Sequence, residues 1–343
     1  MVAKKIGTHN GTFHCDEVLA CFMLKQLPEY KDADIVRTRD QKLLDECDIV
    51  VDVGGVFDPA RRRFDHHQKS FDHSFNSLVP EMRFTTKLSS AGLVYVHFGK
   101  EVIKQVLGVN SKNSDVADAL VNIFYERIYE RFIEEVDAGD NGIEQKDGKA
   151  RFAITTTLAT RIAALNPSWN DEVKDETGSF YKAMDLAGNE FIDRLKYLYK
   201  SWWPARDLVK EAIAKRFEVD PSGMIMSFEL GGCPWKEHLF DLEKELGIDE
   251  ASSLKYVIFP DERNGKWMIV CVPPSPNTFE SRLPLPEAWR GLRDQELSDL
   301  IGLDGCIFCH ATGFCGGHNT RDGILAMARK SLELAKLTPA NGC

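Results

Sequence analysis

The sequence has no long apolar run, no apolar leader and no excess of basic residues. No stretch reaches the ~18 consecutive apolar residues of a membrane-spanning helix, so we expect no membrane protein. The start, residues 1–11, has neither the apolar core of a signal peptide nor the Arg- and Ser-rich pattern of a transit peptide. The 43 basic residues face 53 acidic ones, and the net charge of −10 argues at first sight against a nucleic-acid partner.

A disulfide framework is also poorly supported. The chain has nine cysteines, an odd number, in 343 residues, which indicates free thiols in a reducing compartment. With 43% apolar residues the chain can bury substantial cores, and its length predicts about two domains.

Strand and helix patterns alternate through the first half of the chain. Short apolar and β-branched runs predict strands at 4–8, 33–38, 48–53 and 61–67. Helical spacing of apolar residues predicts helices at 17–27, 90–98 and 114–136. This alternation predicts an α/β fold with a mostly parallel sheet flanked by helices.

The second half of the chain has a different pattern of predicted helices and strands. A long amphipathic pattern at 179–199 runs into Pro204, which we expect to stop or kink the helix. We therefore predict domains at 1–203 and 204–343. Two strand patterns flank Asn264-Gly265, a hairpin signal, and a helix is predicted at 322–337. These features predict a smaller α+β domain.

Metal-capable side chains follow several predicted strands and one predicted helix. They are His9, His14, Asp16, Asp52, Asp65, His66, His67, Asp137 and Asp140, the last two in a predicted loop. Each one alone could be a cap or turn residue, but ligands in open α/β sheets bind at the carboxyl ends of strands. Mixed carboxylate and imidazole ligation suits Mn²⁺ and, less exclusively, Mg²⁺ or Zn²⁺. A shared carboxylate would hold two ions ~3.5–4 Å apart.

Six motifs resemble the melanocyte-proliferating-gene family of DHH-type exonucleases, within the DHH phosphoesterase superfamily. They are THNGTFHCDE (8–17), VDVGG (51–55), FDHHQ (64–68), KLSSAGLVY (87–95), VDAGDNG (136–142) and FCGGHNTRDG (314–323). They span nearly the whole chain. The resemblance implies a DHH-like domain and a substrate-binding domain, with the active site in the cleft between them.

The resemblance also implies roles for individual residues. The metal ligands would be His9, His14, Asp16, Asp52, His66 and Asp137, for two Mn²⁺ ions, with Mg²⁺ as the alternative. Asp52 is the bridging acid, and His14 stands where many relatives have Asp. Asp65 and His67 are the catalytic pair: Asp65 orients a neighbouring imidazole, and His67 meets the substrate phosphate or the attacking water.

The C-terminal motif has two readings. Gly316, Gly317 and His318 resemble the Gly-Gly-His loop of the substrate-binding domain in DHH phosphoesterases, and we expect His318 and Arg321 to contact the substrate phosphate. The alternative is a zinc knuckle of Cys306, Cys309, Cys315 and His318.

Two basic stretches are candidates for phosphate attraction. Arg63 ends an Arg-Arg-Arg run directly before the Asp-His-His motif, and its alternative is a solvated strand edge. The stretch 194–216 interleaves cations with aromatics, which suits single-stranded nucleic acid or an interdomain helix whose aromatics pack.

The resemblance implies 3′–5′ exonuclease action on single-stranded RNA, with DNA as a further substrate, in the nucleus, including the nucleolus, and the mitochondrion. The alternatives are a small-molecule phosphoesterase or pyrophosphatase, and a non-catalytic nucleic-acid or metal-binding module. The sequence predicts no oligomeric state. Part of the acidity lies in the proposed site, where bound dications would offset it, so the net charge no longer excludes a nucleic acid.

Overall fold

The computed structural model describes residues 3–109, 114–276 and 278–337. The remaining positions of the two predicted domains, among them Cys343, lie outside the described residues. The chain divides into two compact units, Met1–Leu198 and Tyr199–Cys343. The assignment of a catalytic role to one and a substrate-binding role to the other stays a prediction.

The first unit is built on a five-stranded sheet, as the α/β prediction requires. Its strands are β1 (Lys5–Thr8), β2 (Asp34–Arg37), β3 (Ile49–Val51), β4 (Phe57–Asp58) and β5 (Arg63–Phe64). The order is β2-β1-β3-β5-β4, and all neighbours are parallel except β4 and β5. The prediction of a mostly parallel sheet is therefore confirmed.

Helices follow these strands in the first unit. They are α1 (Cys15–Lys25), α2 (Gln41–Asp45), α3 (Phe75–Leu78), α4 (Ser90–Leu107), α5 (Ser114–Ile128), α6 (Glu134–Asp140), α7 (Leu158–Ala163) and α8 (Glu176–Tyr197). Helix α1 packs against α4 and α8. The contact with α8 is close, since a Cβ atom at Gly188 would lie 2.1 Å from the ring of Phe22.

The motif VDAGDNG is not the loop that the sequence predicts. A wider π-helical turn, Tyr129–Ile133, joins α5 to α6, so both Asp137 and Asp140 are helical. The helix ends just beyond them, where Gly142 takes a φ of +66° that suits glycine and the Ile143 N–H bonds the Ala138 carbonyl at 2.8 Å.

The sequence predicts that Pro204 stops or kinks the long helix, and the structure shows that the helical path continues past it. After α8, a π-helical turn at Leu198–Trp202 leads directly into α9 (Trp203–Ala214), which has Pro204 in its first turn. Proline is tolerated there because the first N–H groups of a helix have no partner within it.

The second unit has its own five-stranded sheet. Its strands are β6 (Ile225–Ser227), β7 (Tyr256–Pro260), β8 (Trp267–Cys271), β9 (Cys306–Cys309) and β10 (Cys315–His318), in the order β6-β7-β8-β10-β9. Strands β7 and β8 form the predicted antiparallel hairpin around Asn264-Gly265.

Helices cover both faces of this sheet. They are α10 (Arg216–Val219), α11 (Trp235–Glu245), α12 (Asp294–Ile301) and α13 (Arg321–Leu337), together with α9. Tyr256 and Ile258 point into an apolar core with α12 and α13, whereas Val257 points into a second core with α9 and α11. The alternation is the two-residue period of a strand.

The Gly-Gly-His segment is the second correction to a predicted loop. Gly316, Gly317 and His318 are buried within β10, between β8 and β9. A Cβ atom at Gly316 would lie 3.0 Å from the Phe308 carbonyl oxygen, and one at Gly317 would lie 2.9 Å from the Phe308 ring. The glycines therefore allow β10 to pack closely.

Within the described ranges, no helix combines the length and apolar character needed to cross a bilayer.

Candidate metal centre

The acids and imidazoles of the first unit gather at the carboxyl ends of its parallel strands. His9 directly follows β1, Asp52 follows β3, and Asp65, His66 and His67 follow β5. The start of α1 adds His14, Asp16 and Glu17. With Arg39, several of these side chains line a pocket of about 250 Å³.

Asp52 joins the two imidazoles on either side of it. Its Oδ2 lies 3.2 Å from His9 Nε2, and its Oδ1 lies 3.2 Å from His66 Nε2. The backbone φ of Asp52 is +59°, in the left-handed region that side chains other than glycine rarely adopt. Such backbone conformations cluster at functional sites, and here one occurs at the residue shared by two groups.

The first group surrounds His9. His9 Nε2 also lies 3.1 Å from Glu17 Oε1, and the Glu17 carboxylate accepts hydrogen bonds of 3.0 Å from the His14 N–H. Ligand atoms of His9, His14, Glu17 and Asp52 all lie within 4.8 Å of one another. Glu17 is thus both a helix cap and a member of the group.

The second group surrounds His66. Its Nε2 lies 3.2 Å from Asp140 Oδ2 and 3.8 Å from Asp16 Oδ2, in addition to its contact with Asp52. Ligand atoms of Asp52, His66 and His67 lie within 4.8 Å of one another, as do those of His14, Asp16 and Asp140. The structure therefore places Asp140 beside the imidazoles.

Asp137, which the resemblance implies as a metal ligand, is engaged in hydrogen bonds away from the imidazoles. Its Oδ1 accepts hydrogen bonds from the Ser89 N–H (2.9 Å), the Ser89 hydroxyl (2.7 Å) and the Gly92 N–H (3.0 Å), and its Oδ2 accepts from the Tyr129 hydroxyl (2.9 Å). Burial raises the pKa of Asp137 to about 7 despite these bonds. The side chain belongs to none of the candidate metal groups among the described residues. Asp137 instead ties α6 to the start of α4.

The first turn of α4 faces the acids. The Ser90 hydroxyl donates to Asp52 Oδ1 at 3.1 Å, and the Ser90 N–H donates to Asp16 Oδ2 at 3.3 Å. A helix N-terminus presents free N–H groups and a partial positive charge, so it stabilises nearby carboxylates. The motif KLSSAGLVY thereby contributes directly to the site.

Asp65 holds the ring of His67. Its Oδ1 accepts from His67 Nδ1 at 2.8 Å and from the His67 N–H at 3.1 Å, while its Oδ2 accepts from the Gly55 N–H at 2.6 Å. The hydrogen bond to Asp65 raises the pKa of His67. The His67 side chain is 62% exposed, so it is the part of the Asp-His-His motif that a solute can reach.

Charge crowding shifts the protonation of the buried members. Burial raises the pKa of Asp16 well above its usual value, and the carboxylates of Asp52 and Asp140 add to this. Burial alone would lower the pKa of His9, but Asp52 and Glu17 outweigh it and raise the pKa to about 10. Burial also opposes ionisation of Asp52, yet the hydrogen bonds with His66 and His9 hold its pKa below the usual value.

The residues fit a divalent metal. Two buried polar atoms of the site, Asp16 Oδ1 and His66 Nδ1, have no hydrogen-bond partner, and buried polar atoms normally have one. Imidazole nitrogens and carboxylate oxygens supply all the ligand atoms. A set of imidazole and carboxylate ligands without thiolates suits hard divalent ions such as Mn²⁺ and Mg²⁺.

Arg39, and not Arg63, is the arginine of the pocket. Arg63 donates to four backbone carbonyls, among them those of Leu44 (3.4 Å) and Cys47 (3.2 Å). Arg39 is exposed, lines the pocket with His9 and His67, and bonds the side chain of Asn10 at 3.0 Å. The predicted phosphate-steering role of Arg63 therefore conflicts with its structural use.

The C-terminal candidates lie in the second unit. His318 is buried, accepts the Thr320 N–H at Nδ1 (3.0 Å) and contacts the Asp304 carbonyl through Nε2 (3.0 Å). Cys306, Cys309 and Cys315 are buried, and none of the candidate metal groups in the described part of the chain contains them. This counts against the zinc knuckle.

Arg321 is the accessible member of the predicted substrate-binding set. It is 40% exposed at its side chain, lies 3.5 Å from Glu229 and stacks over Trp267. In the basic and aromatic stretch at 194–216, Trp202 is buried and donates from Nε1 to Glu237 at 3.0 Å. The packing interpretation therefore holds for Trp202.

Sequence reasoning missed two residues of this site, Glu17 and Arg39, and it named Asp140 as metal-capable but gave the ligand role to Asp137. Glu17 was signalled by the capping spacing His14-x-x-Glu17. Arg39 gave no signal, because its position depends on how β2 ends beside the loop after β1.

We predict that Asp140→Asn weakens Mn²⁺ binding at least about tenfold, because it removes an anionic oxygen beside His66. The check is the rise in melting temperature on adding Mn²⁺, which follows metal affinity. Asp137→Asn is the matched control. It should lower the melting temperature of the metal-free protein, because the amide NH₂ cannot accept the hydrogen bonds that Ser89, Gly92 or Tyr129 donate to the carboxylate. A normal metal response in Asp140→Asn, with a lost response in Asp137→Asn, would contradict the assignment.

Comparison with known sequences gives a consistent result. The family model MYG1_exonuc, described as an uncharacterised protein family (UPF0160), matches residues 5–332. MYG1 exonuclease of Bos taurus is 55% identical over 333 residues, covering 97% of this chain and 85% of the bovine protein. MYG1 exonuclease of Homo sapiens is 54% identical over 340 residues, covering 99% and 88%. MYG1 protein YER156C of Saccharomyces cerevisiae is 40% identical over 340 residues, covering 96% of each.

A pGpG-specific phosphodiesterase from Vibrio, PggH, was found among solved structures. It shares 14% identity over 97% of this chain and 99% of its own, with a TM-score of 0.30. A score this low carries no argument about fold or site. The sequence relatives are sufficient, and the resemblance inferred from the six motifs is confirmed: this chain belongs to the MYG1 exonuclease family.

Proposed function

We propose that the protein is a metal-dependent phosphodiester hydrolase that degrades single-stranded RNA from its 3′ end. One observation carries the hydrolase part of the proposal. The two oxygens of Asp52 face His9 and His66, so one carboxylate joins two groups of nitrogen and oxygen ligands. A carboxylate shared in this way would hold two divalent ions at the ~3.5–4 Å spacing of two-metal hydrolase sites.

The ligands divide around Asp52. His9, His14, Glu17 and Asp52 would hold one ion, and Asp52, His66, Asp16 and Asp140 the other. When bound, two Mn²⁺ or Mg²⁺ ions supply an activated water and stabilise negative charge on the phosphoryl oxygens. The carboxylate of Asp140 lies close enough to Asp16 to raise the pKa of Asp16, so bound cations would relieve the repulsion between the two acids.

Neighbouring side chains hold the shared carboxylate and orient the exposed imidazole. Asp65 fixes His67 through Nδ1, so Nε2 is the nitrogen that can meet a phosphoryl oxygen or the attacking water. Ser90 holds Asp52 through its hydroxyl and thereby fixes the shared carboxylate. No covalent nucleophile is required, and burial raises the pKa of the nearby Cys15 thiol, which disfavours its thiolate.

Cations would bind the phosphate of the substrate. Arg39 lines the pocket of the metal centre and donates to Asn10 from an exposed position. In the second unit, contact of Gly316, Gly317, His318 and Arg321 with substrate stays a prediction of the resemblance. Arg321 is the member whose exposure suits it best.

The named relatives support the nucleic-acid part of the proposal. The bovine and human relatives are called exonucleases, and the chain aligns with them over almost its whole length. RNA rather than DNA, digestion from the 3′ end, and location in nucleus and mitochondrion rest on the family resemblance.

We predict that the protein shortens end-labelled single-stranded RNA stepwise in the presence of Mn²⁺ and that a chelator stops the reaction. The double variant Asp65→Ala, His66→Ala should abolish the ladder, because it removes a metal ligand and the residue that holds His67. Labelling each end of the RNA in turn gives the direction of digestion. A DNA strand of the same sequence tests whether the enzyme prefers ribose or deoxyribose. Phosphate release from pyrophosphate without nucleic-acid cleavage would favour the small-molecule alternative, and binding without cleavage would favour a non-catalytic module.

We predict that Arg39→Ala raises KM for the oligonucleotide about ten- to a hundredfold, the range expected for a lost charge-assisted hydrogen bond. Arg63→Ala is the matched control, which should lower the melting temperature because carbonyls near α2 lose their donor. Steady-state kinetics and thermal melts separate the two effects. An equal rise in KM for both variants would show that the pocket geometry does not identify the phosphate contact.

A further inference from the structure

The segment between α7 and α8 is fastened to the loop that carries His9 and His14. The Asn166 side chain accepts from the Phe13 N–H through Oδ1 and donates to the Phe13 carbonyl through Nδ2, both at 2.9 Å. One amide thus satisfies both backbone groups of the residue before His14. The two residues are 153 positions apart, so this is a tertiary contact and not a local turn.

The other end of the segment is tied to the same loop. Arg37 donates to the carbonyls of His9 (3.2 Å) and Gly11 (2.6 Å), and also to the carbonyl of Glu176 (3.4 Å). Helix α7, which precedes Asn166, packs against α1 and α6, the helices that carry Glu17 and Asp140. The segment 166–176 is therefore bracketed by anchors on the metal loop.

Trp169 lies between these anchors and is 89% exposed. A tight turn presents it: the Ser168 N–H donates to Asp171 Oδ2 at 2.8 Å, and the Asp171 N–H donates to the Ser168 carbonyl at 3.2 Å. Three residues span at most ~11 Å, so the backbone of Trp169 stays within that distance of the Asn166 anchor. Tryptophan is highly buried on average, so the indole of Trp169 is unusually accessible to a ligand.

The surroundings of Trp169 favour a single flat ligand. It is the sole aromatic residue between 163 and 176, and Ser168, Asn170 and Asp171 flank it. A stable protein interface needs about 800 Å² of complementary surface on each partner, which one indole does not supply even with the exposed Val173 of the same segment. Stacking on one base needs only the face of one ring, and it tolerates any base identity.

We propose that Trp169 is a stacking platform for a base of the single-stranded substrate whose phosphate lies at the metal centre. Asn166 and Arg37 are positioning residues that hold this platform in register with His9 and His14. The inference rests on the proposed function and extends it, because it assigns recognition of bases to the segment between α7 and α8.

The test compares KM for a short single-stranded RNA with KM for an abasic strand of the same length. Trp169→Ala should raise KM for the RNA about tenfold more than KM for the abasic strand, within the range of roughly 5- to 150-fold expected for one stacked base. Trp169→Phe should restore most of the difference, because a smaller ring still stacks. Phe152→Ala, at another exposed aromatic (74%) of the first unit, is the matched control and should leave the ratio of the two KM values unchanged.

The outcomes separate the two levels of the proposal. Wild-type cleavage of both strands with an unchanged KM ratio in Trp169→Ala would overturn the stacking platform alone. An equal change in the ratio for Phe152→Ala would also overturn it, since the effect would not be specific to Trp169. A wild-type protein inert towards RNA would overturn the proposed function and the platform with it.

Discussion

The candidate metal centre is organised around the carboxylate of Asp52. Its two oxygens face His9 and His66 at 3.2 Å each, from a residue whose φ of +59° is held by its surroundings. Strand β3 brings Asp52 between β1 and β5, and these strands deliver the two imidazoles at the same edge of the sheet. The Asp52 carboxylate is therefore the member common to the candidate groups around His9 and His66.

The remaining structure near the site compensates for concentrated negative charge. The first turn of α4 donates to Asp16 and Asp52, and its Ser89 and Gly92 donate to Asp137. A Cβ atom at Gly92 would lie 2.3 Å from the Asp137 carboxylate, so α4 and α6 can approach only at glycine. Asp137 therefore supports the site from behind, while Asp140 reaches it, and a bound divalent metal would offset the remaining negative charge.

The sequence was a good guide wherever a site residue directly follows a buried strand. His9, Asp52 and His66 could be placed together in advance, because the ends of parallel strands meet at one edge. Asp137 and Asp140 could not be told apart, since the choice depends on how α6 continues past Val136 and which face it turns inward. Gly316 and Gly317 suggested a loop around an anion, but glycine is equally required where strands pack tightly, and only the pairing of β10 distinguishes the two. Arg63 stood next to the motif in the chain, yet its guanidinium turns to backbone carbonyls.

The most direct test of this account is anomalous diffraction at the manganese edge from crystals grown with Mn²⁺. The account predicts two peaks on either side of the Asp52 carboxylate, ~3.5–4 Å apart, one beside His9 and the other beside His66 and Asp140. A single peak, a peak coordinated by Asp137, or manganese only among the cysteines of β9 and β10 would contradict it.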